Sequence, residues 1–237
     1  MKVDPDQIYG EDYFYPKFTL YTDEFGVERR YYGPSKEWGG FSFIANWVKE
    51  NIPSAKTLLD VGCSAGSFVD YASRIGFDAR GVDISKFAIN NCCEGARGKV
   101  KLADITKEPP PGRFDLVTAM DLMEHLYTQS VPAVLNYFRS ALNPGGYVFC
   151  CICTARHPNE LWEHTSKNDE VPADKTWLSV SGHVNIKYPE KWIEEFKSAG
   201  FVIDYEKMLN FALWHQKHPD MSQCLSWSVN NVLIGRI

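Results

Sequence analysis

The sequence predicts an α/β fold built on a doubly wound, mostly parallel sheet. Between residues 55 and 150, short apolar runs of strand type alternate with segments whose apolar residues recur at helical spacing. A turn bracketed by Gly62 and Gly66 follows the first apolar run, and Asp83 closes the next one. Because parallel strands need long crossover connections, this alternation favours strands that are joined through helices.

The first strand, its turn and the helix after it are predicted from one continuous stretch. Residues 57–61 form the apolar run, and the glycine turn leads into a helix that Gly76 is expected to end. One face of this helix carries the apolar side chains Phe68, Val69, Ala72 and Ile75.

The remaining elements continue the alternation. A helix over residues 39–51 is expected to pack Phe43, Ile44, Trp47 and Val48 before the sheet begins. In chain order, the other predicted elements are strands at 80–84 and 100–105, a strand from 114, a helix over 130–142, a strand entered through the turn at 143–146, a late helix and its exit at 191–201, and two last strands at 201–209 and 226–237.

The glycine turn and the acid at the end of the next strand predict a nucleoside-cofactor site. A glycine turn between a strand and a helix lets a ligand approach the backbone, and a carboxylate at the next strand tip can bind ribose hydroxyls. The dinucleotide pattern Gly-x-Gly-x-x-Gly is incomplete, because Ser64 and Ser67 stand at two of its glycine positions. Those glycines matter when a pyrophosphate lies on the backbone, so the turn favours a cofactor without phosphates.

The stretch Asp60–Gly66 resembles motif I of the class I S-adenosylmethionine (SAM) methyltransferases, with Ser64 in place of the middle glycine. The resemblance implies a Rossmann-like sheet of seven strands whose last strand is antiparallel, and SAM as the cofactor. Later segments resemble the following motifs of the family in order, namely residues 81–85, 100–105, 114–126, 142–149 and 191–201.

The resemblance also implies which residues bind the cofactor. Asp83 is expected to bind the ribose hydroxyls, Asp104 the adenine amino group, and Asp121 to border the methionine end. From the residues alone, Asp60 and Asp83 could instead cap the helices that follow them, and the glycines could serve the turn only. The complete predicted set is Asp60, Gly62, Cys63, Ser64, Gly66, Asp83, Ile84, Asp104, Ile105, Met120, Asp121 and Leu122.

Two histidines are the candidate catalytic residues. His125 follows the fourth strand closely, where an imidazole could accept a proton from a methyl acceptor, and His183 is the second candidate. The alternative is a structural histidine that bonds to backbone or to Glu124. His157 and His164 are weaker candidates.

Two segments outside the core alternation are expected to cover the site. Residues 1–38 are rich in aromatic side chains and form an N-terminal cap, and residues 39–237 form the SAM-binding domain with a lid insertion at 154–189. The cap either stabilises the sheet edge or lines an acceptor pocket. The candidate acceptor-contacting residues are Tyr32, Trp38, Trp162 and Trp177.

Composition and charge narrow the class of protein. A chain of 237 residues that is 44% hydrophobic suits one large domain with appendages. The net charge of −5 argues against general nucleic-acid binding. No apolar stretch approaches the length of a membrane span, and the start lacks the apolar segment of a signal peptide. Seven cysteines without a disulfide framework predict a reduced, cytoplasmic protein.

The cysteines do not predict a metal site. Cys150, Cys151 and Cys153 alternate along a buried strand, where free cysteine packs as a small hydrophobic residue. A zinc site needs a second pair of ligands, and the adjacent Cys92 and Cys93, predicted to be helical, do not supply it. No metal is therefore expected.

These features together predict a SAM-dependent methyltransferase that modifies an oxygen or nitrogen atom of a small molecule. The loop after the fourth strand lacks the Asn/Asp-Pro-Pro-aromatic pattern of the adenine methyltransferases of nucleic acids. Two alternatives stay open at this point. One is a protein or RNA methyltransferase on the same core, and the other is a SAM-binding partner protein without catalytic activity.

Overall fold

The computed structural model describes residues 9–11, 20–22, 28–30, 40–163, 165, 182–218 and 231–237. These residues form a central sheet with helices on both faces and two short ribbons beside it. The strands are β1 (Leu20–Thr22), β2 (Glu28–Arg30), β3 (Thr57–Val61), β4 (Asp78–Asp83), β5 (Val100–Leu102), β6 (Phe114–Met120), β7 (Leu142–Cys151), β8 (Trp162–Glu163), β9 (Asn185–Ile186), β10 (Val202–Ile203) and β11 (Val232–Arg236).

The central sheet has seven strands in the order β10-β11-β7-β6-β3-β4-β5. β3 lies between β4 and β6 and is parallel to both, and β5 and β7 extend the parallel run on either side. β11 is antiparallel to both of its neighbours, β7 and β10. The predicted doubly wound, mostly parallel seven-stranded sheet with an antiparallel last strand is confirmed.

Helices cover the two faces of this sheet. One apolar cluster includes Trp47, Phe68 and Phe211, and a second includes Phe138 and Trp192. The predicted apolar face of the helix after the glycine turn is buried. The described helices are α1 (Gly40–Asn51), α2 (Ser67–Arg74), α3 (Lys86–Asn90), α4 (Val131–Ala141), α5 (Pro189–Ser198) and α6 (Tyr205–Gln216).

Asp115 joins three strands at the amino-terminal edge of the sheet. Its carboxylate accepts hydrogen bonds from the backbone N–H groups of Lys56 and Thr57, from the Thr57 hydroxyl and from the Asn143 amide. Partial burial acts to raise the pKa of Asp115, but these donors lower it to about 2. The starts of β3, β6 and β7 are thereby held in register.

The predicted strand at 201–209 is wrong beyond its first residues. Only Val202 and Ile203 pair with β11, and α6 begins at Tyr205. The Asp204 carboxylate accepts the Lys207 N–H, so an N-cap at Asp204 ends the strand and starts the helix. The predicted last strand is confirmed over 232–236, and its earlier part, 226–230, lies outside the described residues.

The predicted lid has more regular structure at its ends than the sequence indicated. β8 and β9 pair antiparallel, with Trp162 opposite Ile186, and close a two-stranded ribbon across the insertion. Cys92 and Cys93 lie after α3 has ended, so their predicted helical placement is wrong. Within the described part of the chain, no helix is long and apolar enough to cross a bilayer.

Candidate active site

The carboxyl ends of the parallel strands bring most of the predicted site residues to one edge of the sheet. The loops after β3, β4, β5 and β6 all leave from this edge. The chain crosses from one side of β3 to the other between β5 and β6, which makes β3 and β6 the point where the strand order reverses. In open α/β sheets, ligands bind at such a point.

The glycine turn after β3 is held by β4. The backbone N–H groups of Gly62 and Cys63 donate to the Val82 carbonyl, and the Ser64 N–H donates to the Asp83 carboxylate at 2.7 Å. Gly62 has a φ of 76°, and Ser64 has a φ of 50°, which is uncommon for a residue with a side chain. A hypothetical Cβ on Gly62 lies 3.0 Å from the Leu122 side chain, so the turn also fits closely against the loop after β6.

Asp83 is half-buried at the tip of β4, as predicted. Its second carboxylate oxygen accepts the Ser85 N–H at 2.7 Å. Partial burial raises the pKa of Asp83, although the hydrogen bonds from the Ser85 and Ser64 N–H groups act to lower it. Ser85, and not Asp83, caps α3, because the Ser85 hydroxyl accepts the Ala88 N–H.

Gly66 is closely packed against a neighbouring part of the chain. A Cβ at this position points into the protein, 2.6 Å from the Ala96 Cβ and 2.9 Å from the Val100 side chain. Its φ of 78° also suits glycine at the N-cap of α2. A side chain at residue 66 would therefore clash with β5 and the turn before it, and the predicted contact of the Gly66 backbone with the cofactor stays a prediction.

Asp60 is buried in the sheet next to Asp83. The Thr118 hydroxyl on β6 donates to its carboxylate at 2.7 Å. Burial raises the pKa of Asp60 to about 7, the hydrogen bond from Thr118 opposes that rise, and the charge of Asp83 adds to it. No described contact makes Asp60 a helix cap.

The predicted adenine-binding residues follow β5. The Asp104 carboxylate accepts from the Thr106 backbone and hydroxyl and pairs with Lys107, so it closes its own turn. Burial acts to raise the pKa of Asp104, but the Lys107 and Thr106 bonds lower it. Ile84 and Ile105 are half-buried beside the ends of β4 and β5. The role of Asp104 toward adenine stays a prediction.

The loop after β6 is strained at its first residue. Met120 ends the strand, and Asp121 has a φ of 50° while its N–H donates to the Cys151 carbonyl. Leu122 is half-buried against the Gly62 turn. Non-glycine residues with positive φ persist only where the surroundings hold them, and they concentrate at functional sites.

Glu124 connects this loop to the far end of the insertion. It is 0% exposed, and one carboxylate oxygen accepts the Cys153 N–H while its carbonyl accepts the Val184 N–H. Burial raises the pKa of Glu124 well above its usual range, and the charge of Asp121 adds to the effect.

The structure brings together the two histidines that the sequence identified. The His125 and His183 rings meet edge to face with centroids 4.9 Å apart. His125 Nδ1 donates to the Gly182 carbonyl at 3.0 Å, which places the ring lone pair on Nε2. Burial lowers the pKa of His125 to about 3, the neighbouring His183 adds to this, and burial lowers the pKa of His183 to about 4. Both imidazoles are uncharged at neutral pH.

Tyr9 reaches this site from the N-terminal segment and was not singled out by the sequence analysis. Its ring lies 6.0 Å from the His125 ring, and its carbonyl accepts the Ser85 hydroxyl at 2.6 Å. Burial raises the pKa of the Tyr9 hydroxyl, with contributions from Tyr127 and Asp83. The only available signal was the aromatic density of residues 1–38, which does not single out one ring.

The predicted acceptor-contacting residues are the least supported. Trp162 is 7% exposed and packs with Ala155 and Ile186 in the core of the β8–β9 ribbon. The other three predicted residues, Tyr32, Trp38 and Trp177, lie outside the described residues. The weaker histidine candidate His164 does so as well.

The fold and this edge define an α/β domain with the layout of a nucleoside-cofactor site at the carboxyl ends of parallel strands. Comparison with known proteins identifies the family. A model described as "Methyltransferase domain" matches residues 40–206, more than half of the chain. The chain belongs to the class I SAM-dependent methyltransferase family, whose cofactor is SAM.

Curated relatives match the central part of the chain. The ubiquinone biosynthesis O-methyltransferase of Albidiferax ferrireducens is 30% identical over 112 residues, covering 44% of each protein. The protein of the same name from Ralstonia nicotianae is 29% identical over 136 residues, covering 52% of this chain and 56% of its own. The chain thus spans about half the length of these relatives.

Solved structures share the fold at low identity. A putative O-methyltransferase from Nostoc punctiforme has a TM-score of 0.58 at 16% identity, covering 84% of this chain and 56% of its own. Phosphoethanolamine N-methyltransferase 2 of Haemonchus contortus, solved with SAM, has a TM-score of 0.55 at 19% identity, covering 86% and 53%. The [4+2]-cyclase SpnF has a TM-score of 0.56 at 18% identity, covering 86% and 89%, so the fold alone does not define the reaction.

Proposed function

We propose that this protein transfers the methyl group of SAM to a hydroxyl oxygen of a small molecule. One observation carries the proposal. The predicted cofactor residues and the two histidines converge at one edge of the sheet, with Asp83 on one side of β3 and His125 and His183 on the other. The O-methyltransferase names of the curated relatives favour oxygen as the acceptor atom.

The electrostatics of the edge suit this cofactor. SAM carries a sulfonium and an ammonium group, whereas a dinucleotide carries a pyrophosphate. Asp60, Asp83 and Glu124 all have a raised pKa at this edge, which means that burial disfavours their negative charge. A cationic ligand relieves that cost, and an anionic one increases it.

The proposed reaction is an in-line displacement. The acceptor oxygen forms a bond to the methyl carbon while the carbon–sulfur bond breaks, and the bonding pair stays on sulfur as the thioether of S-adenosylhomocysteine (SAH). The hydroxyl proton must leave at or before this step. The protein aligns oxygen, methyl and sulfur and excludes water.

The loop after β6 and the exit of the insertion are proposed to receive the acceptor hydroxyl. The His125 ring contacts the His183 ring and the Tyr9 ring, and the Tyr9 carbonyl accepts the Ser85 hydroxyl. His125 was predicted to accept the hydroxyl proton. We extend this role to the cluster formed by His125, His183 and Tyr9. The net charge of −5 supports a small-molecule acceptor over a nucleic acid.

The test combines cofactor binding with labelled methyl transfer. Calorimetry with SAH establishes binding, and SAM with a deuterated methyl group is then offered with separate panels of phenols, aliphatic alcohols and amines. We expect SAH to bind and label to appear on a hydroxyl compound. His125→Gln and His183→Gln should reduce turnover about 100-fold or more with SAH affinity nearly unchanged.

His215→Gln is the matched control, because this histidine lies on α6 with its ring against Phe211. It should leave turnover and SAH affinity unchanged. Label on amines alone would move the acceptor to nitrogen. A protein that binds no SAH, or whose turnover survives both histidine substitutions, would overturn the proposal.

A further inference from the structure

Three side chains near the proposed methyl acceptor have the arrangement of a metal site. Glu124, His125 and His183 each place one potential ligand atom within 4.8 Å of the other two. Glu124 and His125 come from the short turn after β6, and His183 comes from the chain just before β9. Backbone hydrogen bonds join the two segments, since Val184 N–H donates to the Glu124 carbonyl at 2.8 Å.

The surroundings orient these atoms toward one another. His125 uses Nδ1–H on the Gly182 carbonyl, and a metal-binding histidine commonly donates its other ring N–H in this way. Glu124 uses one carboxylate oxygen on the Cys153 N–H. The other oxygen, Oε2, is buried and has no hydrogen-bond partner among the described residues.

A buried carboxyl oxygen without a hydrogen-bond partner is costly in either protonation state, and such an atom in a folded protein calls for an explanation. A divalent cation would coordinate the Glu124 oxygen and both imidazoles at once. Asp121 adds a further carboxylate whose charge already acts on Glu124.

We propose that Glu124, His125 and His183 bind a divalent transition-metal cation, with coordination positions left open toward the methyl acceptor. A set of two imidazoles and one carboxylate suits Mn²⁺, Co²⁺, Fe²⁺ or Zn²⁺, whereas Mg²⁺ and Ca²⁺ prefer ligand sets made of oxygen. No metal was expected from the sequence, because only the cysteines suggested a metal site and this ligand set contains no cysteine.

The inference rests on the proposed function and specifies one step of it. With the cation bound, His125 acts as a ligand and not as a base. A bound cation would lower the pKa of an acceptor hydroxyl at an open coordination position, and water would take the released proton. The resulting oxygen anion attacks the methyl carbon, and the electron pair of the breaking carbon–sulfur bond goes to sulfur.

The test measures binding of the metal alone to EDTA-treated, dialysed protein. Mn²⁺ is titrated by calorimetry and by electron paramagnetic resonance, and Co²⁺ by visible absorption, all without SAM or SAH. We expect one ion per chain. At a free concentration 100 times the Kd, Mn²⁺ should raise Tm by about 5–10 °C.

Two substitutions identify the ligands. Glu124→Gln keeps the side-chain volume and an oxygen for the Cys153 N–H, and it should lower the affinity about 100-fold or more while the metal-free Tm stays level or rises. His183→Gln should lower the affinity similarly. His215→Gln should bind both metals as the wild type does. If Glu124→Gln fails to fold, His183→Gln decides alone.

A parallel titration with SAH separates this inference from the proposed function. Metal binding that depends on Glu124 and His183 supports the site even if SAH does not bind. Normal SAH binding, with no binding of Mn²⁺ or Co²⁺ or with equal binding to the wild type and both ligand variants, overturns the metal site. The proposed function then stands, and the three side chains form a metal-free network.

Discussion

Replacing Asp83 by asparagine tests the cofactor edge most directly. The carboxylate accepts the Ser64 and Ser85 N–H groups at 2.7 Å each and is also the predicted acceptor of two ribose hydroxyls. Asp83→Ala would remove the hydrogen bonds to both backbone N–H groups. A loss of SAH affinity could then not be separated from disruption of the turn. Asparagine keeps the volume and one acceptor oxygen, so it removes the charge with less damage to the turn.

The structure sets the expected magnitudes for Asp83→Asn. One of the two N–H groups loses its acceptor, which costs about 1–3 kcal/mol, and removal of a carboxylate whose charge is disfavoured by burial offsets part of that cost. Weakened hydrogen bonds from the ribose should cost a further 1.5–3 kcal/mol of binding, or roughly 10- to 100-fold in Kd. Stability should therefore change little while SAH affinity falls.

Asp115→Asn is the control, because Asp115 lies at the opposite edge of the same sheet and also accepts several hydrogen bonds. It should lower stability by about 1 kcal/mol after solvent screening and leave SAH affinity within about twofold. Isothermal calorimetry gives the affinities and thermal denaturation gives the stabilities. A folded Asp83→Asn protein with unchanged SAH affinity, or an equal loss in the control, would refute the assignment.

Three other predictions concern the turn, the buried acid and the insertion. Gly66→Val should lower Tm by about 6–12 °C, because its Cβ overlaps Val100 and the backbone φ is unfavourable, and an unchanged Tm by circular dichroism would contradict this. Asp60→Asn should stabilise the protein by about 1–3 kcal/mol at pH 8 and not at pH 5. Because folding raises the pKa of Asp60 to about 7, the stability of the wild type falls as the pH rises from about 4 to 7. If Asp60→Asn stabilised the protein equally at pH 5 and pH 8, the buried charge of Asp60 would not be the cause. Backbone amides of residues 182–188 should gain protection from hydrogen exchange when SAH is added, whereas equal protection would indicate a fixed insertion.

Local pattern was enough to predict the central sheet. The strand at residues 57–61, the turn at Gly62 and the helix that buries Phe68 and Val69 are adjacent in sequence, and each has its own periodicity or glycine signal. Helix α1 was predicted to within one residue for the same reason. Because the loops that follow parallel strands all leave from one edge of the sheet, the predicted topology also predicted that Asp83 lies at this edge.

The missed helix α6 shows where periodicity was misleading. Val202 and Ile203 read as the start of a strand, and they do pair with β11. The change to helix is encoded by Asp204, which accepts the Lys207 N–H as an N-cap. This signal was present in the sequence, but an acid followed by mixed polar and apolar residues also occurs in exposed strands.

Contacts between distant segments could not be predicted from the sequence. The packing of Gly66 depends on Ala96 and Val100, which contact it from the turn before β5 and from β5 itself. Likewise, the pairing of His125 with His183 depends on how the insertion returns to the β6 loop. Local pattern identifies such residues one at a time, and only the folded chain shows which of them meet.

Acidic residues at the two edges of the sheet have pKa values shifted in opposite directions. At the amino-terminal edge, Asp115 is surrounded by donors and its pKa falls to about 2, so its charge stabilises the fold. At the carboxyl edge, Asp60 and Glu124 have raised pKa values because burial disfavours their charges. The non-glycine residues with positive φ in the described chain, Ser64 and Asp121, lie in the loops of this same edge. The burial of acidic groups and the positive φ of Ser64 and Asp121 have different physical causes. The hydrogen-bonded Asp115 at the amino-terminal edge shows that the sheet itself requires neither. Their coincidence supports the proposal that the cationic cofactor SAM binds at the carboxyl edge.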